Sequence, residues 1–277
     1  NLNCSYCYVY NHADHSYRER PARMGEDTWS ALLARMHQYC LARPDHSMSL
    51  VLHGSEPTLI GVERFEEMVV EARSVLRGYL RGVALQTNGT LIDRRWASTL
   101  ARLDVSVTVS LDGLPSTHDK FRVDHAGRGS YAATRRGMEH LRDAGRELQV
   151  ICVVQPGGDG RAVYRHFRQL GVRCMNFLLP DMTHDSRTCW YSGHAPAPAA
   201  DFLLPVFEEW WQEDNPSVRV LVFWELISAL LGGPPSSDCF GGAALGYVIV
   251  ETDGEIETMD ALRVCKHRLP STSLNVH

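Results

Sequence analysis

At 277 residues, with 44% hydrophobic and 22% charged residues, the chain is long enough to bury a sizeable core and has an ordinary globular composition, which excludes disorder, collagen and coiled coil. A net charge of −5 with no long basic run argues against broad nucleic-acid binding, and no stretch approaches the roughly 18 apolar residues of a membrane span. Eight cysteines, of which only Cys4 and Cys7 lie close together, need no disulfide staples in a chain of this size and point to a reducing, cytoplasmic compartment.

Strand-like and helix-like runs alternate along the chain. Residues 47–53 (SMSLVLH) are β-branched and aliphatic, and 61–76 follow with helical periodicity. Residues 83–86 lead into the Thr87-Asn88-Gly89 turn, and Asp93 is placed to cap a helix reaching 103. The clearest strand is 105–110 (VSVTVS). A helix over 131–144 is closed by Gly145, and a buried strand (LQVICVV) occupies 148–154. A helix over 162–170 stops at Gly171 and precedes a strand at 172–179. Repeated β-then-α units at this spacing predict an α/β fold with a parallel sheet, open or closed as a barrel.

The alternation breaks after residue 179. Residues 180–200 are polar and proline-containing, carry His184, Trp190 and Tyr191, and read as a loop over one face of the sheet. Helical segments follow at 201–212 and 220–231, the second ended by Gly232-Gly233-Pro234-Pro235. Residues 246–258 (GYVIVETDGEIET) read as a hairpin turning at Asp253-Gly254. The expected division is 1–180, a bridge at 181–235, and a small module at 236–277.

Cys4-Ser5-Tyr6-Cys7 is a C-x-x-C, a spacing shared by thioredoxin-like redox pairs and half zinc sites. Its company is more specific. His53-Gly54-Ser55-Glu56-Pro57, Gln86-Thr87-Asn88-Gly89 and Ser110-Leu111-Asp112-Gly113 each end a predicted strand, where parallel α/β folds place their ligands; His118-Asp119 and Arg122 follow. In this order the motifs resemble the radical S-adenosylmethionine (SAM) enzymes. The resemblance implies a partial (β/α)6 TIM-like barrel. It also implies a [4Fe–4S] cluster on a C-x3-C-x-aromatic-C motif, of which Cys4 and Cys7 are the last two thiolates. The first would precede Asn1, so the chain as given is expected to carry no intact catalytic cluster.

The same resemblance assigns cofactor-binding roles. Tyr6 matches the aromatic packed near adenine. His53, Gly54, Ser55, Glu56 and Pro57 match the G-G-E-P segment that lines the SAM amino group, with Ser55 in place of the second glycine. Thr87, Asn88 and Ser110 lie in segments that approach the ribose and methionine parts. Arg122 matches the arginine that pairs with the SAM carboxylate, a task that suits its forked guanidinium; a surface ion pair is its plainer role.

Further segments resemble FxsB-type radical SAM/SPASM peptide maturases: Tyr8-Val-Tyr10-Asn11-His-Ala-Asp14, Arg20-Pro-Ala-Arg23-Met24, Arg122-Val-Asp-His-Ala-Gly-Arg-Gly129, Phe177-Leu-Leu-Pro-Asp181 and Val250-Glu-Thr-Asp-Gly254. Such enzymes act on ribosomally made precursor peptides, take electrons from a flavodoxin or ferredoxin, and many join an aromatic ring carbon to a β-carbon as a cyclophane. Cys239 and the hairpin Gly254 fit the opening of a SPASM-like appendage that binds an auxiliary Fe–S cluster through further cysteines. The next expected cysteine is Met259, Cys265 is displaced beyond it, and the appendage reads as truncated.

Plainer roles stand beside these. Cys40, Cys152 and Cys174 sit in helix or strand patterns and read as buried, inert thiols. Cys239 and Cys265 divide between cluster ligands and ordinary cysteines. His12, His15 and His37 read as solvated or capping residues, and Asp112 as a turn organiser. Trp210 and Trp211 should split between core and surface, and Trp190 and Tyr191 either stack on a peptide aromatic or pack their loop. Asp181 and His184 follow the last barrel strand and are the candidates to take a proton from substrate. Other functions consistent with the residues are a formylglycine-forming maturase of the anaerobic sulfatase-modifying type, a non-catalytic peptide-binding scaffold, and a zinc protein.

Overall fold

The alternating strands and helices assemble as one parallel sheet. The computed structural model describes residues 1–155, 157–185, 198–233 and 246–277. Strands β1 (Met48–Leu52), β2 (Leu80–Thr87), β3 (Ser106–Ser110), β4 (Gln149–Val153), β5 (Cys174–Leu178) and β6 (Arg219–Val220) lie side by side in chain order, each pair parallel. This is the expected partial α/β barrel. Its crossovers are α1 (Glu26–Ala42, leading into β1), α2 (Val62–Val75), α3 (Arg94–Arg102), α4 (Pro115–Phe121) with α5 (Tyr131–Asp143), α6 (Gly160–Gln169) and α7 (Pro198–Glu213); α8 (Leu221–Leu230) follows β6.

Local chemistry sets several boundaries. Asp93 caps α3 by accepting the Trp96 N–H at 2.8 Å, and Asp159 caps α6 through Ala162 N–H at 3.0 Å. Gly145 and Gly171, both at positive φ, follow the ends of α5 and α6. Helices α1 and α4 add to the elements anticipated from periodicity. The helix anticipated from Val220 starts one residue later, because Val220 first pairs with Met175 across the sheet.

Side chains from both layers fill the core. Val83, Leu85, Val107, Val109, Val150, Met175 and Phe177 from the strands are buried, as are Phe65, Leu100, Met138, Leu141 and Phe167 from the helices. Each such apolar side chain contributes roughly 1.5–3 kcal/mol on burial. Trp210 is half-buried and donates its indole N–H to the Val218 carbonyl at 3.0 Å, whereas Trp211 is exposed, so the pair does split. Cys40, Cys152 and Cys174 are buried, as their patterns suggest.

A second, antiparallel sheet contains β7 (Ile249–Val250), β8 (Glu255–Glu257) and β9 (Ser271–Asn275). The hairpin turns as expected, with Gly254 at φ 85°. β9 adds a strand that its polar sequence does not announce. This module is fastened to the N-terminal segment by buried ions. Arg20 lies 2.7 Å from Glu255 and 2.5 Å from Glu257, and Arg263 reaches the other oxygen of Glu257 at 2.5 Å. Asp14 accepts the Ser16 and Arg268 N–H groups and meets His267 at 3.1 Å.

Candidate functional site

The N-terminal segment is zipped along the chain that leaves α4. Leu2 bridges Asp124, Asn3 N–H donates to the Val123 carbonyl at 2.7 Å, and Ser5 N–H donates to the Phe121 carbonyl at 3.0 Å. The Cys4–Cys7 turn is closed by Cys7 N–H to the Cys4 carbonyl at 3.0 Å. Asn11 braces it, giving its side-chain amide to the same carbonyl at 2.8 Å. Both thiols are free and half-buried. Among the described residues, no group of three or more His, Cys, Asp or Glu is gathered as if for a metal ion.

Between the two cysteines, Tyr6 turns inward and meets the end of β3. Its hydroxyl donates to Asp112 Oδ2 and accepts from Arg122 Nη1 at 2.7 Å; Asp112 Oδ1 accepts the Val153 N–H at 3.1 Å. Arg122 Nη1 lies 3.9 Å from Asp112 Oδ2, and both side chains are nearly out of contact with water. Burial pushes the Cys4 thiol and the Asp112 carboxyl up, and the Arg122 charge opposes both shifts. Burial also opposes the charge on Arg122, but Tyr6 and Asp112 more than offset it, so the guanidinium stays charged. Its Nε is buried without an acceptor. Arg122 is therefore an interior cation rather than a surface ion-pair partner, and the Asp112 carboxylate, instead of organising its own turn, ties the end of β3 to Tyr6 and to β4.

The second strand end is held by Glu56. One carboxylate oxygen accepts Thr58 N–H at 3.1 Å, Thr58 Oγ1 at 2.5 Å and Thr87 Oγ1 at 2.7 Å; the other accepts Asn88 N–H at 2.8 Å. The carboxylate thus staples the end of β1 to the end of β2, and both Thr87 and Asn88 are buried against it. Gly54 takes φ 121° and has open space where a Cβ would sit, so the backbone beside His53 and Ser55 is accessible at close range. Pro57 opens a short 3-10 turn, and Ser110 is buried at the end of β3.

The mouth is completed from the C-terminal module. Asp260 lies 3.6 Å from His53 Nε2 and takes a hydrogen bond from Tyr8; Tyr10 meets Ser55 through their hydroxyls. Burial pushes Asp260 up, but His53 and Tyr8 outweigh it and hold the carboxyl below its usual value. Asp260 and His118 are the two site residues that the sequence motifs assign no role. A carboxylate immediately after Met259, which stands where a cysteine is expected, is the available signal for the first, and the spacing from Arg122 for the second.

The anticipated residues therefore gather in part. Cys4, Tyr6, Cys7 and Arg122 form one group; His53, Gly54, Ser55, Glu56 and Pro57 lie on one loop stapled to Thr87 and Asn88. Asp181 and His184 are exposed beyond β5. Cys239, Trp190 and Tyr191 lie outside the described residues.

Comparison with known proteins gives the family and the fold. The model of the radical SAM superfamily matches residues 1–170. A cysteine-type anaerobic sulfatase-maturating enzyme of Clostridium novyi (strain NT) is 26% identical over 266 residues, covering 94% of this chain and 70% of that protein. A serine-type enzyme of the same name from Klebsiella aerogenes is 25% identical over 275 residues, covering 97% and 66%. Among solved structures, native anSMEcpe with bound AdoMet is similar at a TM-score of 0.78 and 26% identity, covering 94% of this chain and 71% of that one. Streptococcus suis SuiB bound to precursor peptide SuiA has a TM-score of 0.65 at 12% identity, covering 99% and 59%, a likeness of fold alone.

Proposed function

The chain belongs to the radical SAM superfamily, and on that premise we propose that it modifies a ribosomally made precursor peptide at the mouth of the barrel. The observation that carries this reading is the Tyr6–Asp112–Arg122 group beside Cys4 and Cys7. It presents two free thiols and a buried cation whose Nε–H lacks an acceptor. Two of the cluster's three thiolates are present, and so are the groups that would receive SAM. Cys4 and Cys7 would supply thiolates to the [4Fe–4S] cluster. Arg122 would receive the SAM carboxylate, the Gly54 backbone its amino group, and Thr87, Asn88 and Ser110 its remaining polar edge. When bound, cluster and SAM supply one-electron chemistry able to take a hydrogen atom from an unactivated carbon.

The chain's own residues do the rest. The apolar barrel and the ion-paired C-terminal module exclude water from the mouth and hold peptide and cofactor in register. Asp260, ionised and positioned by His53 and Tyr8, offers a carboxylate oxygen for the proton that an oxidised peptide must release. Asp181 and His184, beyond β5, are proposed as substrate-facing groups. A flavodoxin or ferredoxin is the proposed reductant. Residues 1–180 would serve as the catalytic barrel, 181–235 as its bridge and 236–277 as a SPASM-like module, with Cys239 a proposed ligand of an auxiliary cluster.

The finer product is a crosslink, an aromatic ring carbon joined to a β-carbon, supported by the FxsB-like segments around Tyr8, Arg20 and Arg122. Formylglycine formation is the second reading, favoured by similarity to the anaerobic sulfatase-maturating enzymes over nearly the whole of this chain. Anaerobic incubation of the protein, with a cysteine restored before Asn1 and the cluster loaded, with SAM, dithionite and peptide tests both. The expected result is 5′-deoxyadenosine above a Cys4→Ala, Cys7→Ala control, with a peptide lighter by two hydrogens and unreactive to hydrazide. Loss of sulfur, or a hydrazide-reactive aldehyde, selects the second reading; no 5′-deoxyadenosine above the control refutes the proposal.

A further inference from the structure

His118 is completely buried, its ring edge-on to Tyr131 at 5.7 Å between centroids. The Asp112 N–H donates to its Nδ1 at 3.2 Å, so that nitrogen carries no proton. Nε2 therefore carries the proton and donates to Ser130 Oγ at 2.9 Å, and the Ser130 hydroxyl donates onward to the Arg122 carbonyl at 2.7 Å. One imidazole thus links the backbone of Asp112, leaving β3, to the backbone of Arg122, leaving α4. These are the two residues whose side chains converge on Tyr6.

The link is rigid at both ends. Arg122 sits at the C-cap of α4 with φ −107° and ψ 78°, where terminal carbonyls lack partners within the helix and need an outside donor. The turn that carries Ser130 is fixed by Asp119, which accepts the Tyr131 N–H at 2.8 Å. Gly129 lies so close beneath that carboxylate that a Cβ would fall 2.2 Å from Asp119 Cγ. Burial and the Arg122 charge hold the imidazole neutral, with a pKa down at about 3, so its one-donor, one-acceptor polarity is kept at neutral pH.

We propose that His118 is a positioning residue for the cofactor site: acting through Ser130, it fixes the exit of α4, so that the Arg122 guanidinium stays beside Tyr6 and Asp112 with its Nε–H free for an anionic group such as a carboxylate. The identity of that anion rests on the cofactor reading above; the fixing of Arg122 does not. The network predicts that removing either relay member frees the Arg122 backbone while leaving its side chain chemically intact.

The test uses the natural chain and the variants His118→Ala, Ser130→Ala and Ser130→Thr, checked for fold by circular dichroism. The Arg122 Nε–H resonance, assigned with Arg122→Lys, should be a single slowly exchanging signal in the parent and in Ser130→Thr. It should be broadened or lost in both alanine variants, and an unchanged signal in a folded His118→Ala overturns the positioning role. With a cysteine restored before Asn1 and the cluster loaded, the SAM Kd should rise about tenfold in both alanine variants, the worth of roughly one hydrogen bond, with Ser130→Thr near the parent. An unchanged Kd in both overturns the link to the cofactor. A parent that binds no SAM overturns the cofactor reading, while the Arg122 signal still decides the positioning role. Ser130→Ala, which removes one hydroxyl, decides both arms if His118→Ala does not fold.

Discussion

Gly137 lies in the middle of α5, and its replacement by alanine sets two effects of known sign against each other. In an unconstrained helix the change stabilises by about 1 kcal/mol, because glycine is the costlier residue there. Here a Cβ would stand 2.1 Å from the Gly89 carbonyl oxygen and 3.2 Å from Ile92 Cβ. The first distance is about 1.3 Å short of the 3.4 Å at which contact becomes ordinary. The obstructing atom is backbone and cannot rotate away. The Gly89 N–H is held by Thr87 Oγ1 at 3.0 Å, and Thr134 on α5 itself donates to the Asn88 carbonyl at 2.9 Å. Relief requires α5 to retreat or the 87–89 turn to shift, and overpacking of this kind costs roughly 1–3 kcal/mol before the lost hydrogen bonds are added. The expected net change for Gly137→Ala is destabilisation by roughly 1–2 kcal/mol, measured by urea denaturation followed by circular dichroism. Ala132→Gly, at an exposed position of the same helix, calibrates the propensity contribution. A Gly137→Ala protein as stable as the parent, or more so, would refute the close-approach argument.

Two further stability measurements probe the buried charges. Arg20→Ala leaves Glu257 and Glu255 short of a counter-charge and should cost about 3–5 kcal/mol in urea denaturation; a cost below about 1 kcal/mol would mean that Arg263 and Arg268 suffice alone. His118 has a folded pKa of about 3 against an ordinary 6.5, so below pH 6.5 the unfolded chain takes up protons that the folded chain refuses. Its contribution is complete above pH 6.5 and lost as pH falls toward 3, so the stability gap between the parent and His118→Gln should narrow by about 2 kcal/mol from pH 7 to pH 5. A gap independent of pH would show that the ring is not held neutral.

What could be read in advance divides by the range of the interaction. The sheet strands were legible because β-branched runs alternate with capped helices over spans of a few residues, as at 105–110 and at Asp93. The C-x-x-C turn was legible because a four-residue turn carries its own spacing. α1 was not: its N-cap is Gly25, which gives no side-chain hydrogen bond, and only the acidic pair Glu26-Asp27 in its first turn marks its start. β9 was not, because Ser271–Asn275 is polar and is defined by pairing with β8 rather than by a buried face. Asp260 is defined by partners, Tyr8 and His53, that lie more than 200 residues away in the chain.

The same division explains why the site's ligand-facing residues were easier to name than the residues that hold them. A strand end can show Glu56 or Arg122 in a recognisable motif, but a motif does not say which of its polar atoms the fold has already used. Glu56 is a case in point: four hydrogen bonds to Thr58, Thr87 and Asn88 make it a staple between β1 and β2 before it meets any ligand. Arg122 is the converse, since its Nη1 is taken by Tyr6 while its buried Nε is left over. Burying a guanidinium with an unused donor costs stability unless something else gains from it. The protein surrounds that donor with Asp112, Tyr6 and, one layer behind, the neutral His118 and Ser130, groups that hold the cation in place without accepting from Nε. Since Arg20, Trp29 and Arg263 also bury nitrogens without acceptors, the unused Arg122 Nε points to function only through its place beside Cys4, Cys7 and the end of β3, which the folded arrangement defines.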